Sequence, residues 1–480
     1  MSYIKRLLGF YSVSILLFGL LAVGGKLKAA GIGVPVTVAD TANKNLPLPL
    51  RRAMAFRMAN QNDSAIAILN RLKASLDNAT SSVSPTLTTE DAKLFLAKVN
   101  LELAYCSNAQ QLQAAAMDVQ LTSPGPGINS SANDIGLVFE GDQALVYFSS
   151  DRAKSGFPLT YTGSKTFAGF GSVHLMDGSL AGKSFITVGI SIDGQQLYLM
   201  ADNAKGEPEL YVSKLVNGKW GSAVKLSERI NEGLVKAAVS VSADGQYLYF
   251  SSKRAGGFGG ADLYRSRLLP NGEWAVPLNL GSGVNSSFDE ISPVLHPDGT
   301  TLFFSTNAPN SMGGFDIFFS VRESDTAKWM EPMNLGYPVN SGSDELFYWP
   351  TADNKSGYFA SNRAGGLGGF DTYQNLFPEQ KESNLTVYSG SVQKSDGTVL
   401  KSVEITVTDT KTGDLIGTYL PNGITGNYLI ILTPGGHYTM TFHAEGFSIE
   451  SRKLDVPLDS GYSVLNNTIE LKAVVAVEKR

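Results

Sequence analysis

A repeat constrains this 480-residue chain more than any other feature. The segment Ser242-Ala-Asp-Gly-Gln-Tyr-Leu-Tyr-Phe-Ser-Ser252 returns as His296-Pro-Asp-Gly-Thr-Thr-Leu-Phe-Phe-Ser-Thr306 and, more loosely, as Ser191-Ile-Asp-Gly-Gln-Gln-Leu-Tyr-Leu-Met200. Asp193, Asp244, Asp298 and Asp353 stand 51, 54 and 55 residues apart, and a weaker copy at Asp142 extends the series back by another 51. Two independent markers keep step: Trp220, Trp274 and Trp329 are spaced 54 and 55, as are Asp262, Asp316 and Asp371. Self-similarity at such a period means that each repeat is one supersecondary unit needing its neighbours to bury its apolar faces.

Each unit reads as four short strands. A strand such as Ile291–His296 meets an Asp-Gly pair, which permits the positive φ of a tight hairpin, and returns through Leu302–Ser305. The Gly-rich stretch Arg254-Ala-Gly-Gly-Phe-Gly-Gly-Ala-Asp262 leads to a third strand at Leu263–Ser266, and a fourth begins near Trp274 and runs into Pro277–Leu280. Four-stranded units packed radially form a β-propeller; strand alternation and 50 glycines exclude a helical solenoid. The pattern predicts about five blades, with six as the other count. Arg152–Ser172 reads as an insertion in the first unit. The fifth unit ends without a Trp-x-x-Pro strand, and Met117–Thr122 stands at the right distance before Gly127-Ile-Asn-Ser130 to supply that strand from the N-terminal side.

The flanks differ in kind. Lys5 and Arg6 precede nineteen uncharged residues, Leu7 to Gly25, and then small residues. That is the grammar of a signal peptide over residues 1–30, with a mature chain beginning within 25–31; a retained anchor is the alternative. Apolar residues at helical spacing follow in Leu50–Asn78 (Ala53, Phe56, Ala59, then Ala65, Ile66, Leu69, Leu72, with Asp63 and Ser64 as N-cap). They resume through Leu94, Leu96, Val99 and Leu103, giving a helical region over 50–116. The repeats occupy 117–380. Beyond them, strands at Leu385–Val392, Glu404–Asp409, Leu415–Tyr419, Tyr428–Thr433, Tyr438–Ala444 and Ser448–Val456 predict a β-sandwich over 381–473 and a tail at 474–480. A formal net charge of −5 without basic runs gives no footprint for nucleic acid. The lone Cys106 permits no internal disulfide and reads as a small buried residue.

These residues carry resemblances. Asp-Gly-x-x-Leu-Tyr-Phe-Ser-Ser, Gly-Gly-Phe-Gly-Gly-x-Asp-Leu-Tyr and Val284-Asn-Ser-Ser-Phe-Asp-Glu290, repeated as Val339-Asn-Ser-Gly-Ser-Asp-Glu345, resemble the PD40, or WD40-like, propeller repeats of bacterial envelope proteins over Asn129–Phe377. Ala55-Phe-Arg-Met-Ala59 and Ala65-Ile-Ala-Ile-Leu69 resemble tetratricopeptide-like (TPR-like) helical pairs. Gly426-Asn-Tyr428, Pro434-Gly-Gly-His-Tyr438 and Gly446-Phe447 are similar to carboxypeptidase regulatory-like domains, a likeness of fold only. This order is similar to envelope proteins that continue into an OmpA-like peptidoglycan-binding domain, including a peptidoglycan-associated component of type IX secretion. No such module follows the sandwich here and no lipidation cysteine follows the apolar run, so a partner protein is expected to supply the anchor, with peptidoglycan reached only indirectly.

The Gly-rich segments invite comparison with calcium-binding β-rolls, but the aspartate falls one residue late and the copies are not consecutive. Asp262, Asp316 and Asp371 are expected to fix the loop backbone instead. The Ser191-Ile-Asp-Gly turn resembles the Asp-box of sialidases, itself a turn. His174, His296, His437 and His443 form no zinc-ligand spacing, and no Gly-x-Ser-x-Gly elbow occurs. Trp220, Trp274 and Trp329, once per repeat, are expected to pack between blades. No catalytic, metal or cofactor residues are assigned and the binding residues stay unknown. The expectation is an exported, non-enzymatic scaffold or docking protein of the periplasm or outer membrane whose partners are envelope proteins. The rival is a propeller enzyme or carbohydrate-binding protein acting on envelope glycan, which needs a central funnel lined with carboxylates of raised pKa; an apolar funnel speaks against it.

Overall fold

The computed structural model describes residues 46–81, 89–139, 145–166, 169–216, 218–324, 326–378, 386–400, 402–421, 426–432, 434–458 and 463–474. The signal-peptide segment, Asp142 and nearly all of the tail lie outside them. Three helices come first: α1 (Leu48–Met58), α2 (Asn62–Ser81) and α3 (Thr89–Ala114). Leu50, Ala53, Ala65, Leu69, Leu76, Val99 and Cys106 form their shared core, so Cys106 fills an apolar position, as expected from its surroundings. The helices begin at Leu48, two residues before the predicted limit, because Pro47 sets the first turn, and they end at Ala114, within the predicted limit of 116.

Five antiparallel sheets follow, four of them built from consecutive strands. Sheet I contains Asp134–Phe139, Leu145–Ser150, Leu159–Thr166 and Gly169–Leu175. Sheet II contains Ile186–Ile190, Gln196–Asp202, Pro208–Val216 and Val224–Lys225, with Lys219–Trp220 paired beside the third strand. Sheet III contains Ser240–Val241, Tyr247–Ser252, Asp262–Arg267 and Leu278–Asn279. Sheet IV contains Glu290–Leu295, Thr301–Thr306, Asp316–Val321 and Met333–Asn334. Sheet V contains Glu345–Pro350, Ser356–Ser361 and Asp371–Leu376, and its fourth strand is Gln120–Thr122, paired antiparallel to Asp371–Leu376. The N-terminal side therefore supplies the strand that the fifth repeat lacks, as the spacing predicts.

The first strands line an axis and touch in the cyclic order I, II, III, IV, V, I. Ile135, Val188, Val239, Ile291 and Leu346, one from each sheet, share one core. Backbone bonds cross successive sheets: Val239 N–H donates to Val188 O, Glu290 N–H to Ala261 O, Glu345 N–H to Phe315 O and Asp134 N–H to Phe370 O. The approach is close enough that a Cβ on Gly136 or Gly189 would strike the neighbouring carbonyl of Thr187 or Val239.

Two expectations need correction. Arg152–Ser172 is not an insertion: Leu159–Thr166 is the third strand of sheet I and Gly169–Leu175 its fourth. The missing Gly-rich loop disguised them, because Ser155–Pro158 makes the connection instead. The sandwich has a seventh strand, Ser463–Leu471, which runs parallel to Thr386–Lys394. It completes a three-stranded sheet (Asn427–Leu432, Thr386–Lys394, Ser463–Leu471) facing a four-stranded one (Leu415–Tyr419, Val403–Asp409, His437–Ala444, Glu450–Asp455) across a core that includes Ile405, Ile430, Met440 and Phe442.

Candidate docking surfaces

The repeat motifs act as braces. The three Asp-Gly turns and the Asp-Asn turn at Asp353 are each held by their own carboxylate: Asp193 Oδ1 accepts from Ser191 and Gln195, Asp244 Oδ1 from Ser242 and Gln246, Asp298 Oδ1 from Thr300 and Thr301, and Asp353 Oδ1 from Thr351 and Lys355. The Gly-rich loops wrap the aspartates that follow them. Phe258 N–H donates to Asp262, Met312 N–H to Asp316, and Leu367 and Gly368 N–H to Asp371, so these three carboxylates fix loop backbone. The Val-Asn-Ser motif clamps sheet to sheet. Asn285 accepts from Leu263 N–H and donates to Leu263 O; Asn340 does the same to Ile317, and Asn129 to Thr372. Trp274 and Trp329 are 7% exposed and Trp220 packs against Tyr147 at 5.6 Å, which fits packing between blades. His437 pairs with Asp455, and His296 is buried with Nε2 3.2 Å from Thr351 O. Among the described residues no group of three or more His, Cys, Asp and Glu could hold a metal ion.

An arginine recurs at the loop end of sheets I, III and V. Its guanidinium lies over two rings of its own sheet: Arg152 over Phe148 and Tyr161 (5.1 and 5.0 Å), Arg254 over Phe250 and Tyr264 (5.2 and 5.0 Å), Arg363 over Phe359 and Tyr373 (5.3 and 5.0 Å). Arg152 also pairs with Asp134 at 2.7 Å and Arg363 with Glu345 at 3.0 Å. Sheet IV keeps the stacked rings, Phe304 and Phe318 at 6.3 Å, and the acid, Glu290, but Ala308 stands where the arginine would be.

At that departure the helical unit rests on the ring. Tyr105 Oη donates to Asn307 O, and Asn108 Nδ2 to Pro309 O and Ser311 O. Arg57, at the end of α1, donates to Gly342 O and pairs with Glu102 of α3 at 2.8 Å; the two side chains are 4% and 1% exposed. Burial pushes the Glu102 carboxyl up, yet Arg57 and Lys98 hold it below its ordinary range. Gly342 replaces the serine found at Ser287 and Ser131 in the sister motifs, and a Cβ there would fall on the Arg57 backbone oxygen. Met312 is fully buried at this contact, whereas its counterparts Phe258 and Leu367, at the tips of the neighbouring Gly-rich loops, are 51% and 61% exposed.

The other end of the axis is apolar. Phe139, Ile190, Val241, Leu295 and Pro350, the inner-strand residues of the five sheets, line a cavity there with Trp349, and Leu429 of the sandwich reaches its rim. Gln195 Nε2 donates to Pro421 O across the same contact at 2.7 Å. Sandwich and helices thus occupy opposite ends of the inner strands.

No protein-family model matches this chain, and no curated protein matches it. Among solved structures it is similar to a TolB from Agrobacterium tumefaciens, at 18% identity over 52% of this chain and 78% of that one, with a TM-score of 0.34. It is also similar to an endo-arabinase from Bacteroides thetaiotaomicron, at 13% identity over 52% and 95% of the two chains with a TM-score of 0.36. The wild-type catechol 1,2-dioxygenase of Acinetobacter radioresistens matches at 11% identity over 20% of this chain and 57% of that one, with a TM-score of 0.16.

Proposed function

We propose that this chain is a non-enzymatic scaffold of the bacterial cell envelope: a five-bladed β-propeller that carries a TPR-like helical unit on one face and a carboxypeptidase regulatory-like sandwich on the other, and docks envelope proteins. The observation that carries this reading is the mostly apolar lining of the axial cavity at the turn end, to which Leu429 of the sandwich contributes, with the helices resting on the loops of sheets IV and V at the other end. A propeller enzyme works in an axial funnel that gathers polar groups, which this lining does not favour. The exposed apolar tips Phe258 and Leu367, at corresponding positions of the Gly-rich loops of sheets III and V, are the surface proposed for a partner. The signal-peptide grammar of residues 1–30 supports work outside the cytoplasm, in the periplasm or at the outer membrane, and type IX secretion is the setting suggested by the sequence resemblance.

The test is crosslinking in intact cells followed by fractionation. A mature chain starting within residues 25–31, crosslinked to one envelope protein in wild type and released from it by Phe258→Ser with Leu367→Ser, fits the proposal. Recovery in the cytoplasm with Met1 intact overturns the location, and unchanged crosslinking in the double variant overturns the docking surface.

A further inference from the structure

Helix α3 carries apolar residues on two opposite faces. At about 100° per residue, Phe95, Leu96, Val99, Leu103 and Cys106 fall on the side packed into the three-helix core, and Leu94, Ala97, Leu101 and Ala104 on the side turned away from it. The second set is spaced 3, 4 and 3 residues, a heptad seam of the kind that receives another helix. Beyond Ala104 the same face belongs to the ring, because Tyr105 and Asn108 are bonded to the Asn307–Ser311 turn of sheet IV. Away from that contact the seam opens, from half-buried Ala104 and Leu101 to exposed Ala97 and to Leu94, which is 47% exposed.

The ring supplies a second wall. Asp289 accepts from Ala261 N–H at the end of the sheet III loop and pairs with Lys253, while its own N–H donates to Asn307, whose carbonyl receives Tyr105. This chain of contacts sets the sheet III loop, with Phe258 51% exposed at its tip, beside the foot of α3. Helix α1 stands on the other side, where Arg57 meets Gly342.

We propose that the corner between α3 and the sheet III loop holds one amphipathic helix of a partner protein, laid along Leu94–Ala104 with its end against Phe258. The inference rests on the docking reading above and names its occupant. The spacing selects a helix, since an extended strand presents every second residue and cannot follow a row of threes and fours. The seam is about 15 Å long, about three turns, so the tip has to supply the rest of the contact. Lys98 beside the seam is tied to Glu102 at 3.4 Å, and Lys253, 57% exposed, favours an acidic residue on the incoming helix. A second copy of this chain does not fit. Antiparallel, with Leu94 against Ala104, its α3 would drive its first turn into the Asn307–Ser311 turn; parallel, the two rings would meet at Asn108.

The test places photoreactive p-benzoylphenylalanine in the full chain, in intact cells, at Leu94, Ala97 or Phe258, and as a control at Asn100, exposed about a quarter turn from the seam. The first three are expected to label one protein, with the Leu94 and Ala97 adducts about three or four residues apart in a single peptide of it. Asn100 is expected to label it about tenfold less. Leu94→Glu, a change at an exposed side chain, is expected to cut the Phe258 adduct about tenfold while circular dichroism stays unchanged. No adduct, equal labelling from Asn100, adducts to lipid or to a second copy, or an undiminished Phe258 adduct in Leu94→Glu overturns the inference. The docking reading survives that result if Phe258→Ser with Leu367→Ser still releases the crosslinked partner, and falls with it if the partner stays bound.

Discussion

Arg57 joins α1, α3 and the ring through one guanidinium, and its burial makes it costly to remove. A buried pair that loses one partner leaves an uncompensated charge, worth about 3–5 kcal/mol, whereas replacing both partners with apolar groups is often neutral. We expect Arg57→Met to destabilise the chain by about that amount, and Arg57→Met with Glu102→Leu to recover most of it; denaturant titration of the two variants measures the difference. Equal losses in both would show that an orphaned Glu102 charge is not what makes Arg57→Met costly. From the sequence alone Arg57 was one polar residue in a helical stretch, since its acceptor lies 285 positions away. Its signal lay elsewhere, in Gly342 standing in a motif that has serine at 287 and 131, and in Ala308 standing where other repeats have arginine. A repeat's exceptions mark where something else packs.

Strands and turns were readable because the repeat presents each of them several times in different surroundings, whereas the asparagine clamps show in the sequence only as a recurring motif, since their partners lie in the adjoining sheet. The Asp-Gly turns follow from Asp-carboxylate bonding and from a glycine at positive φ, such as Gly299 at φ 70°. The seventh sandwich strand escaped notice because Asn466 and Asn467 interrupt its apolar alternation; its parallel pairing to Thr386–Lys394 is a tertiary fact. The asparagine clamps yield a prediction at this scale. Asn285, Asn340 and Asn129 are each at most 4% exposed and each satisfies both backbone groups of a strand residue in the adjoining sheet. Alanine leaves the buried N–H unpaired, at about 1–3 kcal/mol, whereas Leu263 O keeps Leu280 N–H and Ile317 O keeps Leu335 N–H. We expect Asn285→Ala and Asn340→Ala to lower stability by about 1–3 kcal/mol on that basis, without altering the sheets on the far side of the ring. Hydrogen exchange should show lost protection at Leu263 in the first and at Ile317 in the second. Loss spread evenly over all sheets would show that the clamps are not local.

At the scale of the whole molecule the ring joins two attachments on opposite faces. Helices and sandwich both leave from sheet V, and because Gln120 stands opposite Leu376 the two connections start at the same end of that sheet. The helices nevertheless rest on the Asn307–Ser311 loop and Gly342 at the loop end, while the sandwich meets Gln195 at the turn end, so the two form no composite surface. Closure itself rests on few residues: the three-residue strand, the Asn129 clamp on Thr372, and Asn133 accepting from Phe370 N–H. A chain starting at Val119 keeps all of them and loses only the helices. A chain starting at Ser130 loses the strand and Asn129, leaving Asp371–Leu376 as an exposed edge and Thr372 without its clamp. With about 1 kcal/mol for each strand bond and about 1–3 for each orphaned group, the second truncation costs about 4–8 kcal/mol more than the first. For a ring of this size that is a fall in Tm of about 10–25 °C. Calorimetry of the two truncations decides the matter. A large gap places the latch at 120–129, and equal melting would mean that the ring is closed by packing between sheets I and V alone.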